Sequence, residues 1–96
     1  MADHFNKLSP AQAERLALVA EECGEVLQII GKILRHGYES HHPDGGPPNR
    51  NLLEREIGDL KHAISRLTDH DLNSIAVGVA QRAKAAKVGR YLHHQD

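Results

Sequence analysis

Apolar positions in the first third of the chain step by three and four. Ala13, Leu16, Ala20, Cys23, Leu27, Ile30 and Leu34 trace one line along a helix, and Val19, Val26 and Ile33 trace a second beside it. Ser9-Pro10-Ala11-Gln12 supplies the start: Ser as N-cap, Pro in the first helical position and Gln placed to complete a capping box. The pattern runs unbroken to about Arg35. At about 1.5 Å per residue, a helix of about 26 residues is some 39 Å long. Two apolar lines on so long a helix predict burial on more than one side, against a second chain as well as its own. Gly24 and Gly31 each weaken the helix by about 1 kcal/mol relative to Ala. Residues 1–8 read as a short leader.

Residues 36–50, rich in Gly, Pro and His, have the chemistry of a long loop. The helical pattern restarts with Asn49 or Asn51 as the cap, the latter forming a second capping box with Glu54. Leu53, Ile57, Leu60, Ile64 and Leu67 then form one stripe that ends near Asp69-His70. A third helix starts from Asp71 or Asn73, turns Leu72, Ile75, Val79, Ala83 and Ala86 inward, and ends around Gly89. No period-2 alternation and no internal repeat appears. The expected fold is all-α, one domain over residues 1–96, with a long first helix, two shorter ones, and a small bundle completed by oligomerisation.

Composition narrows the function classes. With 3% aromatic residues and no Trp, the core must be aliphatic, and a chain of 96 residues gains from association. A formal charge of −1 argues against general nucleic-acid binding. The single Cys excludes an intrachain disulfide, and its place on the apolar line predicts a buried thiol. There is neither a secretory signal nor an apolar run near the roughly 20 residues of a membrane span, so a cytoplasmic setting is expected.

The chemistry-bearing pattern is acidic. Glu22 and Glu25 lie three residues apart on the first helix, and Glu56 and Asp59 lie three apart on the second. Spacing by three puts each pair on one helical face, where like charges cost about 0.2–0.5 kcal/mol. Both pairs flank apolar stripes, so the two helices can bring four carboxylates together. Such a cluster needs protons or a hard cation, and oxygen-only ligation favours Mg²⁺, Mn²⁺ or Ca²⁺ over Zn²⁺. Adjacent histidines, His41-His42 near Asp44 and His93-His94 near Asp96, offer a softer metal a weaker alternative and are expected to be solvated.

Glu21-Glu22-x-x-Glu25 followed by Glu56-x-x-Asp59 resembles the EExxE…ExxD signature of the MazG-like all-α nucleoside triphosphate pyrophosphohydrolases. The Ile57-Gly58-Asp59-Leu60 context and a lysine-rich last helix leading to Arg90-Tyr91 agree with it, over residues 9–94. The departure is spacing: residues 26–55 separate the halves by more than is usual, with the excess in the loop. The resemblance implies Mg²⁺ held by Glu22, Glu25, Glu56 and Asp59, and a water attacking the α-phosphorus of a nucleoside triphosphate. Monophosphate and pyrophosphate would be the products. Glu21, or whichever carboxylate stays off the metal, would orient or deprotonate that water. Lys32, Lys84, Lys87 and Arg90 would neutralise the phosphates, and Tyr91 would stack on the base or close the core. It further implies a homodimer or homotetramer, in a bacterial or virus-infected host cytoplasm. Two rivals remain open: a phosphoribosyl-ATP pyrophosphohydrolase using the same metal chemistry, and a non-catalytic helical interaction module whose acids serve solubility.

Overall fold

The computed structural model describes residues 5–95, all of whose regular structure is helical. Helix α1 spans Pro10–His36, α2 spans Asn49–Asp71 and α3 spans Ser74–Val88. The expected start of α1 is present in both halves. Ser9 Oγ accepts from the Gln12 amide at 3.1 Å, and Gln12 Oε1 accepts from the Ser9 amide at 2.8 Å. The helix stops at Gly37, whose φ of 90° is open to glycine at little cost and whose amide closes the last turn on the Ile33 carbonyl.

The start of α2 differs from expectation. Pro48 is the N-cap, and no side chain caps the helix. Asn49, a candidate cap, is instead buried, with Nδ2 donating to the Gly37 carbonyl at 3.2 Å. Asn51 already lies inside the helix. Burial explains the exchange: the Asn49 amide ties α2 back to the end of α1, a use worth more there than a local cap.

Helices α1 and α2 form a hairpin that contains the buried residues Val26, Ile29, Ala63 and Asn49. The packed positions repeat every seven residues, as in a coiled coil. On α1 the lines are Arg15, Glu22, Ile29 and Val19, Val26, Ile33; on α2 they are Asn49, Glu56, Ala63 and Leu53, Leu60, Leu67. The seam therefore uses the second of the two apolar lines predicted for α1. The first line faces outward, with Leu27 68% and Leu34 82% exposed, and Cys23 is exposed with it rather than buried. Likewise Ile57 and Ile64 sit at the margin of α2, leaving Ala63 at 1% exposure as its centre. Opposite the loop, Arg15 clamps Asp71 through two hydrogen bonds of 2.7 and 3.0 Å.

Helix α3 is capped by Asn73, whose Oδ1 accepts from the Ala76 amide at 3.0 Å. It touches α2 near their joint and makes no packing with α1. Leu72, Ile75, Val79, Ala83 and Ala86, expected to face inward, are exposed, because α3 does not pack on α1. The Cα radius of gyration is 17.3 Å; a compact chain of this length has about 12–13 Å. No helix is long and apolar enough to cross a membrane among the described residues.

Candidate metal centre

Glu22 and Glu56 occupy seam positions, one seven-residue step from Ile29 and Ala63 respectively. Their carboxylates are thus drawn between the helices, where the repeat would otherwise place an aliphatic side chain. One oxygen each from Glu22, Glu56 and Asp59 lies within 4.8 Å of the others. Glu22 and Glu56 are half-buried, whereas Asp59 stands at the rim and is exposed. Glu25 lies outside this trio yet within hydrogen-bonding reach of Glu56. The two predicted acidic pairs do converge, as three carboxylates with a fourth leaning on one of them.

The electrostatics follow from the crowding. Hydrogen bonding with Glu25, then burial, then the charges of Glu25, Asp59 and Glu22 push the Glu56 carboxyl up to about 6. Glu22 is also raised above its ordinary value, first by burial and then by the charges of Glu25, Asp59 and Glu21. In both cases burial and neighbouring negative charge favour the neutral form. The decisive detail is atomic. Glu22 Oε2 and Glu56 Oε2 are shut away from solvent and have no hydrogen-bond partner among the described residues. A buried carboxylate oxygen without a donor is costly, so an oxygen-only pair of this kind fits a hard divalent cation. Glu22, Glu56 and Asp59 would hold Mg²⁺ or Mn²⁺, with Glu25 available to complete or polarise the set.

The other expected site residues lie apart from this group. Glu21 is exposed, off the seam, and reaches the cluster only through its charge on Glu22. Lys32 is half-buried two turns beyond Glu25, where it lines a separate cavity. Lys84, Lys87 and Arg90 are exposed on or just beyond α3, and Tyr91 is 73% exposed. Because α3 does not pack on α1, this chain alone does not bring them to the carboxylates. Arg35 and His36, which join Lys32 around the cavity with His41 and His42, were not among the expected site residues; their signal in sequence is the basic run after Lys32 that no acidic residue interrupts before Glu39. The adjacent histidines form no group with a third His, Cys, Asp or Glu at metal-binding distance among the described residues. Compared with family models, with curated proteins and with solved structures, the chain matches none.

Proposed function

We propose that this chain is a Mg²⁺-dependent nucleoside triphosphate pyrophosphohydrolase. The observation that carries the reading is the pair of buried oxygens, Glu22 Oε2 and Glu56 Oε2, without a partner among the described residues and converging with Asp59 at the seam between α1 and α2. Surface acids kept for solubility would be hydrated, as Glu21 is, so the interaction-module reading leaves these two atoms without explanation. The EExxE…ExxD pattern and the long acidic first helix lend support by resemblance to the MazG-like enzymes.

When bound, the cation supplies charge neutralisation for the triphosphate and makes a water nucleophilic at neutral pH. The residues contribute the rest. Glu22 and Glu56, on the same seam as the buried Val26, Ile29 and Ala63, each present a buried oxygen to the ion. Asp59 at the rim leaves a side open to solvent, through which the phosphates enter. Glu25, in contact with Glu56, is placed to share a proton with it and to orient the attacking water; Glu21 is a further candidate for that role. Hydrolysis at the α-phosphorus breaks its bond to the bridging oxygen, releasing monophosphate and pyrophosphate.

The reading includes assembly as a homodimer or homotetramer in the cytoplasm. Support comes from the outward apolar line of α1 and from an α3 without a buried residue. A second copy placed against these faces is the means by which Lys84, Lys87, Arg90 and Tyr91 reach a substrate. The test is pyrophosphate release from a panel of ribo- and deoxyribonucleoside triphosphates with Mg²⁺, next to Glu56→Gln. Matched release of monophosphate that disappears in the variant supports the reading. Release only from phosphoribosyl-ATP assigns the alternative substrate, and no release from any of them, with no heat on Mg²⁺ titration, overturns it.

A further inference from the structure

At the loop end of the hairpin lies a cavity of about 200 Å³ between the last turns of α1, the loop and the first turn of α2. Its walls carry Lys32 and Arg35 from α1, His36 from the helix end, and His41 and His42 from the loop, and no carboxylate is among the lining residues. We propose that this cavity is a binding site for a compact phosphate polyanion of diphosphate size. The assignment does not rest on the hydrolase reading, since it is carried by the cavity's own lining and the way that lining is held.

Charge comes first. Lys32 and Arg35 are permanently cationic and sit three residues apart, hence on one face of α1. Gly31 gives Arg35 room: a Cβ there would stand 3.4 Å from Arg35 Nη1, so the guanidinium lies back along the helix. The imidazoles add donors. The Asp44 amide donates to His42 Nδ1 at 3.1 Å, which places the proton of the neutral ring on Nε2 as a donor. Of the carboxylates nearby, Glu39 is bound to Arg50 at 2.7 Å, and Asp44, 3.7 Å from His42 Nδ1, is 91% exposed and outside the lining.

Preorganisation comes second. Two backbone bonds, Asn49 amide to Ser40 carbonyl at 2.8 Å and Arg50 amide to Tyr38 carbonyl at 2.9 Å, pin the loop to the start of α2. The buried Asn49 side chain holds the Gly37 carbonyl, and the Arg50 guanidinium covers the Tyr38 ring at 4.4 Å. These bonds fix the backbone that carries His41 and His42 against the start of α2 before any ligand arrives, which removes part of the ordering cost of binding. The volume is that of about six or seven waters, enough for two phosphoryl groups. Two permanent charges with imidazole donors suit an anion of two or three charges better than a single carboxylate.

The test is titration of inorganic pyrophosphate into the full chain in EDTA, by calorimetry and by histidine-resolved NMR. EDTA removes any divalent cation, so binding at the acidic centre does not contribute. Expected are saturable binding, shifts confined to the imidazoles of His36, His41 and His42, and affinity at least tenfold weaker in Lys32→Ala/Arg35→Ala. Lys61→Ala/Arg66→Ala, which removes equal charge from the exposed face of α2, should stay within twofold. His42→Ala, in the exposed loop, gives a second variant with no helix to disturb and is expected to weaken binding several-fold. Absence of saturable binding, or equal weakening in both double variants, overturns the assignment. Glu56→Gln should bind like the parent chain, and loss of binding there would overturn the site's independence from the acidic centre.

Discussion

Between α1 and α2, Val26, Ile29 and Ala63 lose nearly all their exposure, whereas α3 carries Ile75, Val77 and Val79 in its first turns and buries none of them. Apolar content does not separate the two regions; geometry does. The hairpin offers each helix a facing partner with a matching seven-residue repeat, so aliphatic side chains interlock and even carboxylates are carried inside. Helix α3 leaves the end of α2 at a turn and meets nothing comparable. The hairpin packs on itself and holds a candidate centre, whereas α3 contains no buried residue. Perturbations should therefore act oppositely in the two regions.

The largest contrast concerns activity. Replacing even residues that only support a metal ligand commonly costs about 10–100-fold, so Glu56→Gln on the seam should exceed that loss in Mg²⁺-dependent pyrophosphate release. The same change removes a charge whose Oε2 is buried without a partner. The metal-free variant should accordingly melt above the parent chain, because an isostere without charge fits the seam better. Loss of activity together with loss of stability would mean that Glu56 braces the hairpin instead of serving a ligand. Lys87→Ala in α3 should leave melting unchanged and lower turnover only where a second copy forms part of the site.

Next in size is the aliphatic packing itself. Ile29→Ala should destabilise by about 2–4 kcal/mol, the cost of emptying a buried position, measured by urea unfolding. Ile75→Ala, at a position 75% exposed, should change stability by less than about 0.5 kcal/mol when the chain is dilute and monomeric. A dependence of the Ile75→Ala effect on protein concentration would show that α3 is buried by a partner copy, and sedimentation of the parent chain would give its number.

Which residues form the seam was only partly legible in advance. The all-α class and the Ser9–Gln12 capping box were, because helical period and local hydrogen bonds depend on neighbours in sequence. The meeting of the acidic pairs was legible too, since spacing by three fixes a common face. The choice between the line through Leu27 and Leu34 and the line through Val26 and Ile33 was not. Both have helical spacing, and the partner's shape decides. Asn49 was hidden for a related reason: its polarity suggests a helix cap, whereas the seven-residue register places it within. The exposed setting of α3 was out of reach because its cover, if a second copy, is not a local property. The cationic loop cavity depends on contacts such as Asn49 to Gly37, which join residues that no short motif links.

A smaller effect is expected from pH, and its sign follows from the raised acids. Glu56, at about 6 in the folded chain against an ordinary 4.5, binds its proton more tightly folded than unfolded. Folding then gains stability as pH falls through 6, and loses it again as pH rises. Asp71 works the other way, held below its ordinary value first by its hydrogen bond with Arg15. Its contribution is complete above the unfolded value of a carboxylate and is lost only in strong acid. Metal-free chain should melt higher at pH 5 than at pH 7.5, and Mg²⁺ should raise melting at pH 7.5 more than at pH 5. Asp59→Asn should flatten the first dependence, and an unchanged slope would remove the acidic cluster as its source.

The smallest effect sharpens the comparison at a single residue. Asn73 caps α3 through its Oδ1, and loss of such a cap costs about 1 kcal/mol. In a helix packed into a core that cost is shared by the whole domain, so global melting shifts. In a 15-residue helix that buries nothing, the cost falls on α3 alone, because isolated helices of this length are marginal in water. Asn73→Ala should then reduce amide protection from Ser74 to Val88 in hydrogen exchange while Val26 and Ala63 amides keep theirs. Ser9→Ala, a loss of equal size at the start of α1, should lower protection across the hairpin. Equal behaviour of the two variants would mean that α3 folds as part of the hairpin's cooperative unit, with its apolar face already covered in solution.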